Sequence, residues 1–201
     1  MKKIISLLMC AMLFCLCFAG CGEKEQDTSV DVTGHTKVQV VMEDGGEFII
    51  ELYPEYAPET CKNFIKLVNE GFYDGLTFHR IVDGFMAQGG SSDGEGYEGS
   101  DETIKGEFAL NGFEQNTLSH TRGVISMARS NDPDSGSSQF FICYSDDYTG
   151  SLDGRYAAFG KVIEGMDVID GFQDVERTYN MSGELAVPVD PIVIKSMTVI
   201  K

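Results

Sequence analysis

The side chain in the most unusual setting in this sequence is Arg80. It lies in the run FHRIVDGFMAQGG, Phe78 to Gly90, among residues that a soluble protein normally buries: Phe78, Ile81, Val82, Phe85 and Met86. A guanidinium is permanently protonated and presents its N–H donors in a rigid planar fork. Among aromatic and thioether groups it costs desolvation energy unless something uses the charge. Read as a strand, the run carries Phe78, Arg80 and Val82 on one face, and Gln88 follows Met86 at a two-residue step. A second run, SSQFFIC from Ser137 to Cys143, alternates Gln139 and Phe141 onto a shared face. The two runs are expected to form one apolar pocket with a few polar donors. Such a donor in a dry pocket can make a strong charge-assisted hydrogen bond to a bound molecule.

Other chemistries lack their context. Gly94-Glu95-Gly96-Tyr97-Glu98-Gly99 matches GxGxxG literally, but Glu95 and Glu98 would repel a pyrophosphate and no helical pattern follows. Asp132-Pro133-Asp134-Ser135-Gly136 lacks the third oxygen ligand before the glycine and the terminal glutamate of a calcium loop, and with Pro133 it reads as a turn. Of the three histidines that could serve as a base to a serine, His35 falls in a polar segment while His79 and His120 read as structural hydrogen-bonding residues. Cys61 and Cys143 have no metal-ligand spacing and read as small buried residues, with a disulfide between them left open.

The elements that must position the two runs are mostly strands. Lys37–Met42 and Glu47–Leu52 flank Asp44-Gly45, a hairpin signal. Pro58 opens a helix whose Cys61, Phe64, Ile65 and Val68 make one apolar stripe, with Gly71 as its stop. Ser91–Gly106 reads as an exposed loop, Gly123–Ala128, Gln139–Cys143 and Ala157–Val162 as short strands, and Met166–Phe172 as a second helix. Ile192–Ile200 reads as a last strand, with Val193 and Met197 on one face and Ile194 and Ile200 on the other. Many short strands, glycine turns and two helices predict a mainly β fold, a closed antiparallel barrel capped by helices.

Composition narrows the partners. The 201-residue chain is 42% apolar with 23 glycines, which suits one globular domain. Its formal charge is −17, and loss of Lys2 and Lys3 with a leader makes it −19. Such acidity argues against nucleic acid and against electrostatic attachment to anionic lipid. Lys2 and Lys3 precede an apolar run, Ile4–Phe18, of signal-peptide length. Phe18-Ala19-Gly20-Cys21 then resembles the lipobox of bacterial lipoproteins, with Phe18 where leucine is usual. The expected organisation is a signal peptide over 1–20, a lipidated Cys21 and polar tether over 21–35, and a folded domain over 36–201. A flexible tether would hold the domain on the order of 20 Å from the membrane. An uncleaved apolar anchor is the alternative, and either places the domain extracytoplasmically.

FHRIVDGFMAQGG, GVISMARSNDPDSGSSQFFIC and LDGRYAAFGKV (Leu152–Val162) together, and in this order, resemble the cyclophilin-type peptidyl-prolyl cis–trans isomerases. The resemblance spans Thr36 to Lys201. It implies an eight-stranded closed barrel and acceleration of rotation about X-Pro bonds in proline-containing polypeptides, a reaction that needs no nucleophile, metal or cofactor. It further implies that Arg80 and Gln88 are catalytic. Phe85, Met86, Phe141 and Leu152 would line the proline pocket, with Ala128, Arg129 and Gln139 in the groove wall and Tyr156 at the rim. Ser151 stands where many members have tryptophan, which argues against tight cyclosporin binding. Tyr156 replaces a common histidine and Arg129 a common asparagine. In its cell-envelope setting the protein would assist folding of secreted or envelope proteins. No large apolar stripe asks for a second subunit, so a monomer is expected. The rival reading is a module that holds extended proline segments with little turnover.

Overall fold

A computed structural model describes residues 34–200. The expected leader, the lipidation site Cys21 and nearly all of the tether lie outside the described residues. His35, at the tether's end, is already docked: its ring lies 4.9 Å from that of Tyr53 and its Nε2 is 3.0 Å from Glu55 Oε1.

Eight strands close an antiparallel barrel. They are β1 (Thr36–Met42), β2 (Glu47–Leu52), β3 (Thr77–Val82), β4 (Met86–Gly89), β5 (Val124–Met127), β6 (Phe140–Cys143), β7 (Ala157–Glu164) and β10 (Ile192–Ile200). Around the barrel the order is β1-β10-β3-β4-β6-β5-β7-β2. Closure leaves the barrel no unpaired edge. Helix α1 (Pro58–Asn69) and helix α3 (Met166–Gly171) cap it as expected. Further elements were not foreseen, among them a single-turn helix α2 (Thr149–Leu152) and a separate two-stranded ribbon, β8 (Arg177–Tyr179) with β9 (Leu185–Pro188).

The barrel interior is filled by inward-facing side chains of every strand together with the apolar stripe of α1. Phe64, Tyr73, Phe78, Phe140 and Phe159 form an edge-to-face and tilted aromatic cluster with centroids 5.2–5.8 Å apart. Each fully buried phenylalanine contributes roughly 1.5–3 kcal/mol by area alone. Pro58 begins α1, but Ala57 offers no side-chain cap. The first amides are taken instead by Glu107, whose carboxylate accepts from the amides of Glu59 and Thr60 at 3.0 and 2.8 Å and from the Thr60 hydroxyl at 2.7 Å. A buried carboxylate at a helix N-terminus satisfies orphan donors and suits the dipole. It comes from 47 residues downstream.

The face assignments of two strands are corrected by bulges. In β3 the pairing steps from Phe78↔Gly89 to Arg80↔Gln88, so His79 is an extra residue. Phe78 therefore points into the core while Arg80 and Val82 point outward, and the three do not share a face. In β10 the step from Met42↔Ile194 to Val41↔Ser196 leaves Lys195 extra. Ile194 and Met197, three residues apart, both enter the core. A bulge inverts the two-residue period from that point onward.

The bulge also buries His79, whose Nδ1 has no hydrogen-bond partner. Burial pushes its pKa down to about 4, aided by the Arg80 charge and opposed by Asp93. As pH falls below about 6.5 the unfolded chain takes up a proton that the folded protein refuses until about pH 4. Stability is therefore expected to fall by about 2 kcal/mol between pH 7 and pH 5 through this residue. His120, also depressed by burial, adds to the loss. Urea unfolding at the two pH values checks this: His79→Leu should flatten the dependence, and an unchanged slope in that variant would exclude His79 as its source.

Candidate active site

The outward faces of β3, β4, β6 and β5 build a second, smaller cluster on the outside of the barrel wall. The register aligns Arg80, Gln88, Phe141 and Ser126 as one row across these four strands. One pleat away, Val82, Met86 and Cys143 form a parallel row. Met86, Phe141, Cys143 and Leu152 are buried together, with Val82, Phe85, Ala128 and Tyr156 packed against them, apart from the barrel core. The structure thus brings the two runs into one apolar site. Leu152 arrives on α2, and Phe85 at the β3–β4 turn packs against Tyr148, the rings tilted by 41° with centroids 4.4 Å apart.

A line of polar groups borders this pocket. Gln88 Oε1 accepts from Arg80 Nη1 at 3.1 Å, and Gln88 Nε2 donates to Gln139 Oε1 at 2.9 Å. Gln139 Nε2 in turn donates to the carbonyls of Gly96 and Glu98 at 3.1 and 3.0 Å. The literal GxGxxG stretch therefore serves as a loop that fixes Gln139. Gly90, which closes the first run, has a φ of +83°, and a Cβ there would stand 2.5 Å from the Ser138 carbonyl. Only glycine fits where the two runs meet so closely.

Arg80 does have a carboxylate partner, one that its motif gives no sign of. Its Nε and Nη2 donate to Glu184 Oε2 and Oε1 at 2.7 and 2.8 Å, a two-pronged pair from the β8–β9 ribbon. Those hydrogen bonds hold the Glu184 carboxyl below the usual carboxylate range. Both side chains stay about one third exposed, at 31% and 33%, so the pair sits at the rim in contact with solvent.

Behind Phe141 lies a Ser–His–Asp arrangement. His120 Nδ1 is 2.7 Å from Asp153 Oδ1, its Nε2 is 2.9 Å from Ser126 Oγ, and its ring stacks on Phe141 at 6.0 Å. Ser126 is fully buried, so no substrate atom reaches its hydroxyl. The group supports the phenylalanine and is no exposed nucleophile. At the rim, Tyr156 stands edge-on to Phe141 at 5.6 Å, and Arg129 Cζ lies 4.7 Å from the Tyr156 centroid. Arg129 also donates to the Arg155 carbonyl from Nε and Nη2. Among the described residues no group of His, Cys, Asp and Glu is placed to hold a metal ion. Cys61 lies in the core and Cys143 in the outer cluster, so the barrel wall separates them; both are free, and burial pushes each thiol up to about 12.

Residues 37–199 match the family model described as cyclophilin type peptidyl-prolyl cis-trans isomerase/CLD. The chain belongs to the cyclophilins. It is 47% identical over 127 residues to peptidyl-prolyl cis-trans isomerase B of Bacillus subtilis, covering 63% of this chain and 83% of that one. Isomerase B of Escherichia coli is 38% identical over 161 residues, covering 77% and 94%. A Cryptosporidium parvum cyclophilin crystal structure superposes with a TM-score of 0.70 at 29% identity, over 84% of this chain and 99% of that one. This cyclophilin is accordingly a peptidyl-prolyl cis–trans isomerase that acts on X-Pro bonds. Rotation about such a bond faces a barrier of about 18–20 kcal/mol and makes or breaks no bond. An apolar pocket bordered by fixed donors is chemically sufficient for it.

Sequence reasoning missed several members of the site. Cys143 follows Phe141 at the same two-residue step that placed Gln139 and Phe141, so its signal was present. Tyr148 sits in a segment with no period, and the Ser126–His120–Asp153 group has no local motif. Glu184 is 104 residues from Arg80, in a polar stretch.

Proposed function

We propose that Arg80 donates to the prolyl nitrogen as the X-Pro amide twists out of plane. Conjugation is lost in the twisted state and a lone pair localises on nitrogen, so a donor there favours that state over both planar forms. The row Arg80–Gln88–Phe141 over a separate apolar cluster is the observation that carries this reading. Phe85, Met86, Phe141 and Leu152 hold the proline ring. Gln88 orients Arg80 and meets the substrate backbone, while Ala128, Arg129 and Gln139 line the groove for the residues before proline, with Tyr156 at its rim. A second Cryptosporidium parvum structure, at 30% identity, was obtained in the presence of the dipeptide Ala-Pro, which accords with a site of this kind.

In the cell we place this domain, residues 36–201, outside the cytoplasmic membrane on a tether over 21–35 that ends in a lipidated Cys21, after removal of 1–20. There it assists the folding of secreted and envelope proteins. The basic start, the apolar run and the lipobox-like Phe18–Cys21 support that reading. Among the described residues no helix is long and apolar enough to cross a membrane. Labelled fatty acid fed to expressing bacteria should be incorporated into the full-length protein and the protein should sediment with membranes. Cys21→Ser should abolish the labelling. A wild-type protein that carries no label and remains in the soluble fraction refutes the anchor and leaves the isomerase assignment intact.

A further inference from the structure

The contact that neither the mechanism nor the motifs account for is the one between Arg80 and the β8–β9 ribbon. We infer that Glu184 is a positioning residue, which grips the guanidinium along one edge so that its remaining N–H groups face the apolar pocket. The inference rests on the reading of Arg80 as the donor to the prolyl nitrogen.

A guanidinium carries five N–H groups. Nε and one on Nη2 are committed to Glu184 and one on Nη1 to Gln88, leaving one on Nη1 and one on Nη2. The one left on Nη1 is spent only weakly, on Met86 Sδ at 3.8 Å, a sulfur of the pocket cluster, so that end of the fork stands at the pocket while the Nε–Nη2 edge faces the ribbon. Two parallel hydrogen bonds fix the plane of the fork as well as its position, which one bond does not. Without them only Gln88 and the weaker contacts to Met86 Sδ and the Phe85 ring would restrain a side chain with many rotamers.

Glu184 is itself held. Its carboxylate accepts from Asn180 Nδ2 at 3.2 Å, while Asn180 Oδ1 accepts from the amides of Ser182 and Glu184 at 3.0 Å each. The ribbon that carries it is tied to the β3 side of the barrel by Arg177, which donates from Nη2 to Asp83 at 2.9 Å and from Nη1 to the Ile81 carbonyl at 3.4 Å. At the tip the Tyr97 hydroxyl lies 2.9 Å from Met181 Sδ, which joins the ribbon to the loop that fixes Gln139. A carboxylate this constrained can transmit order to its partner.

The opposite effect is also physical: a carboxylate cancels part of the charge that Arg80 offers the substrate. Each partner is about one third exposed, so water screens the cancellation, whereas the restraint on orientation does not depend on screening. The restraint is therefore the larger effect.

Line-shape or exchange NMR on an X-Pro peptide, with full-length Glu184→Ala, Glu184→Gln and Arg80→Ala in parallel, decides between them. Glu184→Ala should lower kcat about 10-fold with KM changed less than about twofold, since the pocket that binds proline is untouched. Glu184→Gln keeps an acceptor in place and should recover to within about threefold of the wild type. A Glu184→Ala rate at or above wild type makes the carboxylate a brake and overturns the proposal. So does a loss confined to KM, or a Gln variant no better than Ala. If those results come with Arg80→Ala still strongly impaired, the donor assignment stands and only the role of Glu184 falls. An Arg80→Ala enzyme at the wild-type rate overturns both. Should Glu184→Ala not fold, Asn180→Ala, which loosens the same carboxylate, is expected to lower kcat in the same direction, and unchanged kcat in that variant counts against the proposal.

Discussion

Arg80→Ala is expected to lower kcat/KM for an X-Pro peptide by about 100- to 1,000-fold. That is the range seen when one preorganised donor to a developing charge is removed from an enzyme site. The argument is one of differential binding. A planar amide nitrogen has its lone pair in conjugation and is a poor acceptor, so Arg80 contributes little to ground-state binding. The twisted nitrogen is a good acceptor, so the whole interaction appears in the transition state and its loss falls on kcat. The fold should survive, because Arg80 lies on the outer face of β3 and Glu184, at the rim, can be hydrated once unpaired. Arg80→Lys is the informative control. It keeps the charge but lacks the planar fork, and cannot bridge Gln88 and Glu184 while facing the pocket. It should fall well below wild type. Catalysed exchange measured by NMR, with a thermal melt to confirm folding, is the check; an alanine variant within twofold of wild type would remove Arg80 from the mechanism.

The second large effect is expected from Phe141→Ala. Phe141 is the centre of the outer cluster, paired laterally with Gln88 and Ser126, edge-on to Tyr156 and stacked on His120. Truncation removes the apolar surface on which the proline ring rests. A lost aromatic contact of this size is worth about 3 kcal/mol, or roughly 100-fold in kcat/KM. Here the loss should appear mainly in KM, because the floor binds planar and twisted proline alike. A second readout separates pocket damage from unfolding. His120 is held below its ordinary pKa chiefly by burial, with Asp153 acting against that. Opening a path for water behind residue 141 should raise it, visible as a shifted histidine titration in NMR. Phe141→Leu, which keeps most of the volume, should retain more activity and leave His120 nearly unmoved. An alanine variant with unchanged KM would show that proline does not rest there.

Much of this was readable along the chain because it depends on neighbours in sequence. The helix Pro58–Asn69 follows from a proline start and a stripe at helical spacing. The pairing of Met86 with Gln88, and of Gln139 with Phe141, follows from the two-residue period of a strand. What failed was the same period carried through a bulge. His79 and Lys195 are extra residues, and each inverts inside and outside beyond it. A bulge is set by the register of the neighbouring strands, which no window of one strand contains. The ribbon of β8 and β9 escaped notice because its strands are short, polar at one end and closed by Pro188.

By itself the sequence determined the chemistry available to this protein: an obligate cation among apolar groups, a glutamine beside it and a second apolar run to complete the pocket. Side-chain identity and local spacing suffice for that. Tertiary structure alone decided how that cation is aimed. Barrel closure sets Arg80 level with Gln88, Phe141 and Ser126 on four different strands, and a ribbon 104 residues away supplies the carboxylate that grips it. Lateral register and long-range ion pairs arise only when distant segments meet, because the hydrogen bonds that define them join residues with no shared local pattern.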